Sequence, residues 1–199
     1  MQLYYKEIAE DLTSRLSVGC LLDVGTGPGR LLQAVHSINP AIELYGLDIS
    51  AAMIKQAQKN LSGIAVNLRQ GNIRQTDFPS DYFDLVACTG SFYLWERPEE
   101  GLQEIYRMLK SGQRAILFEC DRESDRQALQ LPLRENLRHV NMLAKIFGPL
   151  AIKQALDVAY SQKEIGEIVQ RTSFAQHFSV ADVTISGLRM WVRVELRKG

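Results

Sequence analysis

The sequence has no surplus of charge of either sign: 23 basic residues balance 23 acidic ones. No net field therefore draws it to a phosphate backbone or an anionic membrane surface, and no nucleic-acid partner is expected. Cysteine is scarce as well. Cys20, Cys88 and Cys120 are odd in number, far apart and each set in an apolar run, which argues against a disulfide framework or a paired-cysteine metal site and suits a reducing compartment. No uncharged apolar run approaches the roughly 18 residues of a membrane helix. The opening MQLYYKEIAEDL carries acids where a secretion signal would carry an apolar core. Repeats, low-complexity tracts and Pro/Gly/Ser-rich linkers are also lacking. The 199 residues, 46% of them hydrophobic, are thus expected to form one domain, 1–199, that is soluble and cytoplasmic, with a substantial core.

What is present is alternation of two periodicities. Short apolar runs at 20–24, 43–48, 83–88 and 114–119 read as strands buried on both faces. Between them lie stretches of helical spacing: Leu31, Leu32, Val35 and Ile38; Met53, Ile54, Ala57 and Leu61; Leu102, Ile105, Tyr106 and Leu109 behind Pro98. This order predicts an α/β, doubly wound, mostly parallel sheet. Val66 and Leu68 alternate with Asn67 and Arg69, as in an edge strand with one wetter face.

After Glu119 the pattern changes. Leu133, Leu137, Val140, Ala144 and Phe147 recur at helical spacing up to Gly148-Pro149, where the helix is expected to break. Residues 122–160 thus read as a helical insertion, either a cap over an acceptor site or helical material docked on the domain. Ser161-Gln162-Lys163-Glu164 has the spacing of a capping box. Phe178 to Val183 and Met190 to Leu196, around Gly187, predict an antiparallel strand pair. Residues 1–17 form an amphipathic segment, read either as a lid or as a docked terminal helix.

The chemistry sits in Asp23-Val24-Gly25-Thr26-Gly27-Pro28-Gly29-Arg30, where a strand hands over to a helix. Glycines there let the backbone turn sharply and approach a ligand. A nicotinamide fingerprint would have its third glycine where Arg30 stands. Asp48 ends the second strand 19 residues after Gly29 (48 minus 29), a place from which an acid accepts bonds from ribose hydroxyls, so a nucleoside-bearing ligand is expected.

The segments LLDVGTGPGRLL, LYGLDIS, GNIRQTDFPSDYFDLVACTGSFYLW and MLKSGQRAILFE resemble, in order and spacing, the class I S-adenosylmethionine-dependent methyltransferases over roughly residues 18 to 120. The resemblance implies a Rossmann-like sheet of seven strands with a C-terminal antiparallel hairpin, and S-adenosyl-L-methionine as cofactor. It implies that Gly25 and Gly27, with Thr26 and Gly29 in the same turn, face the methionine part, with Asp23 supporting that turn and the cofactor's amino group. Asp48 would hold the ribose, Ile49 would pack on the adenine, Asn72 and Ile73 would read its edge, and Thr89 would lie beside the methionine portion. Asn72 departs from the aspartate usual in the family. The LKSGQ turn departs from the commoner LKPGG, with Gly112 expected to end the preceding helix. Positions 88 to 91 read CTGS in place of the motifs of amino-directed nucleic-acid methyltransferases, which points to a small-molecule acceptor.

The implied reaction is in-line displacement at a methyl group already made electrophilic, so positioning in a desolvated pocket suffices for most of the catalysis. Tyr93, Glu119, Asp121 and His139 are the candidate catalytic residues. The plain alternative for the first three is a packed ring and two solvated acids. No metal ligands are expected. Two rival readings share the motif: a catalytically silent partner subunit of this fold, and an NAD-dependent oxidoreductase, the latter opposed by Arg30. The acceptor atom and the oligomeric state are not encoded in any motif.

Overall fold

The computed structural model describes residues 3–136 and 142–199. Seven strands form one sheet: β1 (Gly19–Val24), β2 (Ile42–Asp48), β3 (Val66–Gln70), β4 (Phe83–Thr89), β5 (Leu109–Cys120), β6 (Phe178–Ile185) and β7 (Leu188–Arg197). Their spatial order is β3-β2-β1-β4-β5-β7-β6. The first five are parallel, and β7 runs antiparallel to both β5 and β6. Strand order reverses at β1, so the crevice for a ligand lies outside the carboxyl ends of β1 and β4.

Helices cover both faces, as a parallel sheet requires. One core layer joins Leu21, Leu44 and Ile116 of the sheet to Ile8 and Leu12 of α1 (Leu3–Arg15), Leu31 and Val35 of α2 (Arg30–Ile38) and Ala57 of α3 (Ala51–Asn60). The opposite layer joins Leu22, Val86 and Leu117 to Leu102 and Ile105 of α4 (Pro98–Met108) and Ile165 and Val169 of α7 (Gln162–Gln170). Leu21 and Leu22 thus point to opposite layers, which is why β1 is apolar at successive positions. The edge strand β3 has only half-buried and exposed residues.

Ser161 caps α7: its side chain accepts the Glu164 N–H while the Glu164 carboxylate accepts the Ser161 N–H, the expected reciprocal pair. Between β5 and α7 lie α5 (Gln130–Asn136) and α6 (Met142–Val158). Two local expectations fail. Pro149 lies inside α6 rather than ending it; a proline's missing N–H removes one intrahelical bond, which a helix of 17 residues survives. Gly112, at φ +78°, sits within β5 rather than at the end of α4. That helix closes at Met108, with Leu109 already extended, and Gly112 instead donates to the Lys198 carbonyl at 3.0 Å, tying β5 to the end of β7. No helix among the described residues is long and apolar enough to cross a membrane.

Candidate active site

The turn after β1 is shaped by glycines at alternate positions. Gly25, Gly27 and Gly29 all have positive φ (73°, 50° and 77°), the left-handed region where a side chain is strained. The glycines are not equivalent. A Cβ on Gly25 would collide with the Ser91 hydroxyl, and one on Gly29 would come within 2.7 Å of Leu61 Cδ1, so both serve close packing. A Cβ on Gly27 would meet nothing within 4 Å.

That open space is part of a cavity of about 510 Å3 at the carboxyl ends of β1, β2 and β4, a volume in the range of small-ligand sites. Gly25 and Gly27 form one side. Asp48 and Ile49 come from the end of β2, and Asn72, Ile73 and Arg74 from the loop after β3. Thr89, Ser91, Leu94 and Trp95 come from the end of β4 and the 3-10 turn Phe92–Leu94, and Tyr5 comes from α1. Ile49 and Leu94 are 67% and 68% exposed, large apolar side chains left uncovered at the rim of a cavity.

Asp48 organises the turn. Its Oδ2 accepts the Gly27 N–H at 2.8 Å and its Oδ1 accepts the Ser50 N–H at 2.8 Å, at the start of α3. The N–H groups of Gly25 and Thr26 both donate to the Leu47 carbonyl, at 2.8 and 3.0 Å. The backbone donors of Gly25 and Gly27 are therefore engaged within the protein, and what the turn offers a ligand is chiefly space. Each carboxylate oxygen of Asp48 keeps a further lone pair for an outside donor.

Asn72 Oδ1 accepts the Arg74 N–H at 3.0 Å, holding the loop after β3 in a local turn. Ile73 is buried below it. Thr89 lines the cavity, while its Oγ1 is buried and makes no hydrogen bond.

Three of the expected cofactor residues stand behind the cavity wall. Asp23 is 2% exposed, and burial, with the charge of Asp48 adding to it, pushes its carboxyl up to about 7. Thr26 is buried with its Oγ1 unbonded, and Gly29 caps α2.

The catalytic candidates are dispersed. Glu119, at the end of β5, is 2% exposed rather than solvated. Its Oε1 accepts from the N–H groups of Ser91 and Phe92, each at 3.2 Å, and from Cys88 Sγ at 3.4 Å. Burial raises its carboxyl to about 7 against those bonds, and raises the Cys88 thiol. Tyr93 is half-buried, and its hydroxyl is likewise raised by burial. Asp121 is also buried, accepting from Glu123 N–H at 3.0 Å and Gln162 Nε2 at 3.4 Å, and it faces a second cavity of about 550 Å3 with Asp182, Arg189 and Trp191. His139, with Leu137 and Val140 of the apolar stripe, lies outside the described residues. Among the described residues no three metal-ligating side chains gather.

Ser91, Leu94, Trp95, Arg74 and Met53 line the cavity without having been singled out by motif. All but Met53 fall inside the GNIRQTDFPSDYFDLVACTGSFYLW stretch, so their neighbourhood was marked although their roles were not.

The family model of a methyltransferase domain matches residues 22–117. An uncharacterised methyltransferase of Bacillus subtilis, YdaC, is 33% identical over 105 residues, 53% of this chain and 58% of that protein. The demethylmenaquinone methyltransferase of Lactiplantibacillus plantarum is 31% identical over 163 residues, 79% of this chain and 66% of that protein. The chain thus spans less than two thirds of the length of these relatives. A methyltransferase of Aquifex aeolicus shares the fold with a TM-score of 0.69 at 17% identity, over 98% of this chain and 90% of that one. The plantazolicin methyltransferase BpumL, solved with S-adenosylhomocysteine, shares it with a TM-score of 0.71 at 16% identity, over 100% and 83%. Matching family model, sequence relatives and sheet order all agree, and the chain belongs to the class I S-adenosylmethionine-dependent methyltransferase family.

Proposed function

We propose that the protein is a methyltransferase that binds S-adenosylmethionine in the 510 Å3 cavity and transfers its methyl group to a small-molecule acceptor. One observation carries this reading: Gly27, Asp48, Ile49, Asn72 and Thr89, spread over more than 60 residues of sequence (89 minus 27), line the same cavity.

The cavity's residues suit the cofactor. Gly27 leaves the space that a side chain would fill, and the Asp48 lone pairs not used by Gly27 and Ser50 would accept two ribose hydroxyls. Ile49 would cover the adenine, and Asn72 and Ile73 would flank its edge. Thr89, on the cavity wall, would lie beside the methionine portion. When bound, the cofactor supplies a methyl group on a sulfonium, already electrophilic. What the chain adds is orientation and exclusion of water: Tyr5, Leu94 and Trp95 line the cavity with apolar surface that a bound cofactor would cover. No buried base is required for a displacement of this kind when the acceptor's proton leaves to solvent.

The acceptor is a small molecule in this reading. Some relatives are named for quinone substrates, and the largely apolar rim makes hydrophobic ring compounds the first class to screen. Balanced charge supports neither a nucleic-acid nor a membrane partner, and a cytoplasmic location accords with the unpaired cysteines. The test is calorimetric titration with S-adenosylmethionine, S-adenosylhomocysteine and NADH separately. Saturable binding of the first two alone is expected; binding of NADH alone, or of none, overturns the proposal.

A further inference from the structure

The carboxylate of Glu119 reaches from the end of β5 to the loop that follows β4, across a separation of 28 residues in sequence. It accepts two consecutive backbone N–H groups, those of Ser91 and Phe92. Those are the first donors of the 3-10 turn, which would otherwise be buried without partners, since Phe92 is fully buried. Ser91 then links this loop to the glycine turn. Its Oγ donates to the Val24 carbonyl at 3.2 Å and occupies the space that a Cβ on Gly25 would need. The two loops that wall the cavity on adjoining sides are thereby locked to each other, and Glu119 anchors the lock from behind.

Stability alone does not account for an acid there. Glu119 Oε2 is buried with no partner, and no basic side chain lies within ion-pair distance among the described residues. An unpaired buried carboxylate oxygen costs stability, whereas its sister oxygen holds the loop.

We infer that Glu119 is a positioning residue, which sets the shape of the cofactor cavity by holding the Ser91 and Phe92 N–H groups and, through Ser91, the glycine turn. The inference rests on the proposed function for what the cavity binds, but the positioning itself is a property of the ligand-free protein.

The experiment compares Glu119→Met, which keeps length and apolar packing and removes the oxygen acceptors, with Glu119→Gln, which keeps one acceptor without the charge. Amide hydrogen exchange is followed by NMR on the full ligand-free chain, and S-adenosylhomocysteine affinity by calorimetry. Glu119→Met is expected to lose protection selectively at the Ser91 and Phe92 amides and to bind about tenfold or more weaker while the chain stays folded. Glu119→Gln is expected to restore protection and bring affinity back to within about threefold. Wild-type protection and affinity in Glu119→Met overturn the inference, as does a loss of stability in both variants with no selective change at the two amides. If the wild-type chain does not bind S-adenosylhomocysteine, the proposed function falls, and the amide protection alone then decides whether Glu119 positions the loop.

Discussion

Asp48 Oδ2 accepts the backbone N–H of Gly27 at 2.8 Å, so the acid at the end of β2 and the middle glycine of the turn after β1 form one unit before any ligand arrives. The side chain expected to hold a ribose also holds the turn that makes room for the rest of the cofactor. Its replacement therefore removes two contributions at once.

Asp48→Ala is expected to weaken S-adenosylmethionine binding by at least about tenfold to a hundredfold, the loss of one charge-assisted contact of about 1.5 to 3 kcal/mol, to which the released Gly27 turn adds. The domain should still fold, because Asp48 is only half-buried. Calorimetry with circular dichroism as a folding control checks this, and unchanged affinity removes Asp48 from the site.

Gly25→Ala and Gly27→Ala should fail in different ways. At Gly25 the new methyl group meets Ser91 and the backbone is strained at φ +73°, so folding stability falls by about 1 to 3 kcal/mol. At Gly27 the methyl group meets open cavity, so stability falls by only about 1 kcal/mol while cofactor binding is lost. Urea midpoints and calorimetry on both variants separate the two costs.

Glu119 makes stability pH-dependent in a defined direction. Its folded-state carboxyl lies at about 7, above its ordinary value of 4.5, so between those values the folded protein binds more protons than the unfolded chain. Stability contributed at this site is therefore lost as pH rises from about 4.5 to about 7 and changes little above that. The stability of Glu119→Gln relative to wild type should improve by up to about 3 kcal/mol between pH 4 and pH 8. Urea unfolding at the two pH values measures it, and a difference that stays constant with pH refutes it.

Asn72→Asp tests the adenine edge. The aspartate would keep the acceptor for Arg74 N–H and offer an ionised oxygen to an outside donor. Binding of S-adenosylmethionine is expected to tighten by about fivefold, and no change indicates that position 72 faces away from the ligand.

Ser161→Ala is the control away from the cavity. Loss of the capping box of α7 should cost about 1 kcal/mol of stability in urea unfolding and leave cofactor affinity as it is.

Much of this architecture was legible in the chain. The strands β1, β2 and β4, the edge position of β3, the capping box at Ser161 and the antiparallel pair β6–β7 all follow from spacings within a few residues, where burial on one or two faces and local capping dictate the pattern. Arg30 at the third-glycine position and Asp48 after β2 likewise carried their meaning in linear order. Local spacing misjudged Gly112 and Pro149, because a glycine's partner across the sheet and a helix's tolerance of one missing bond are not properties of the local pattern.

What the tertiary structure decided is which polar groups are taken and which are left. Gly25 and Gly27 look alike in the motif, yet Ser91 stands against one and cavity against the other. Glu119, expected either at an acceptor or in solvent, is buried beneath the loop after β4, while Asp121 two residues on faces a separate cavity. The amino-acid order determined where the chain turns, and which residues are apolar, because those depend on neighbours a few positions away. Burial and hydrogen-bond pairing between residues dozens of positions apart arise only when the sheet closes, and they determine which of the motif's residues a ligand can reach.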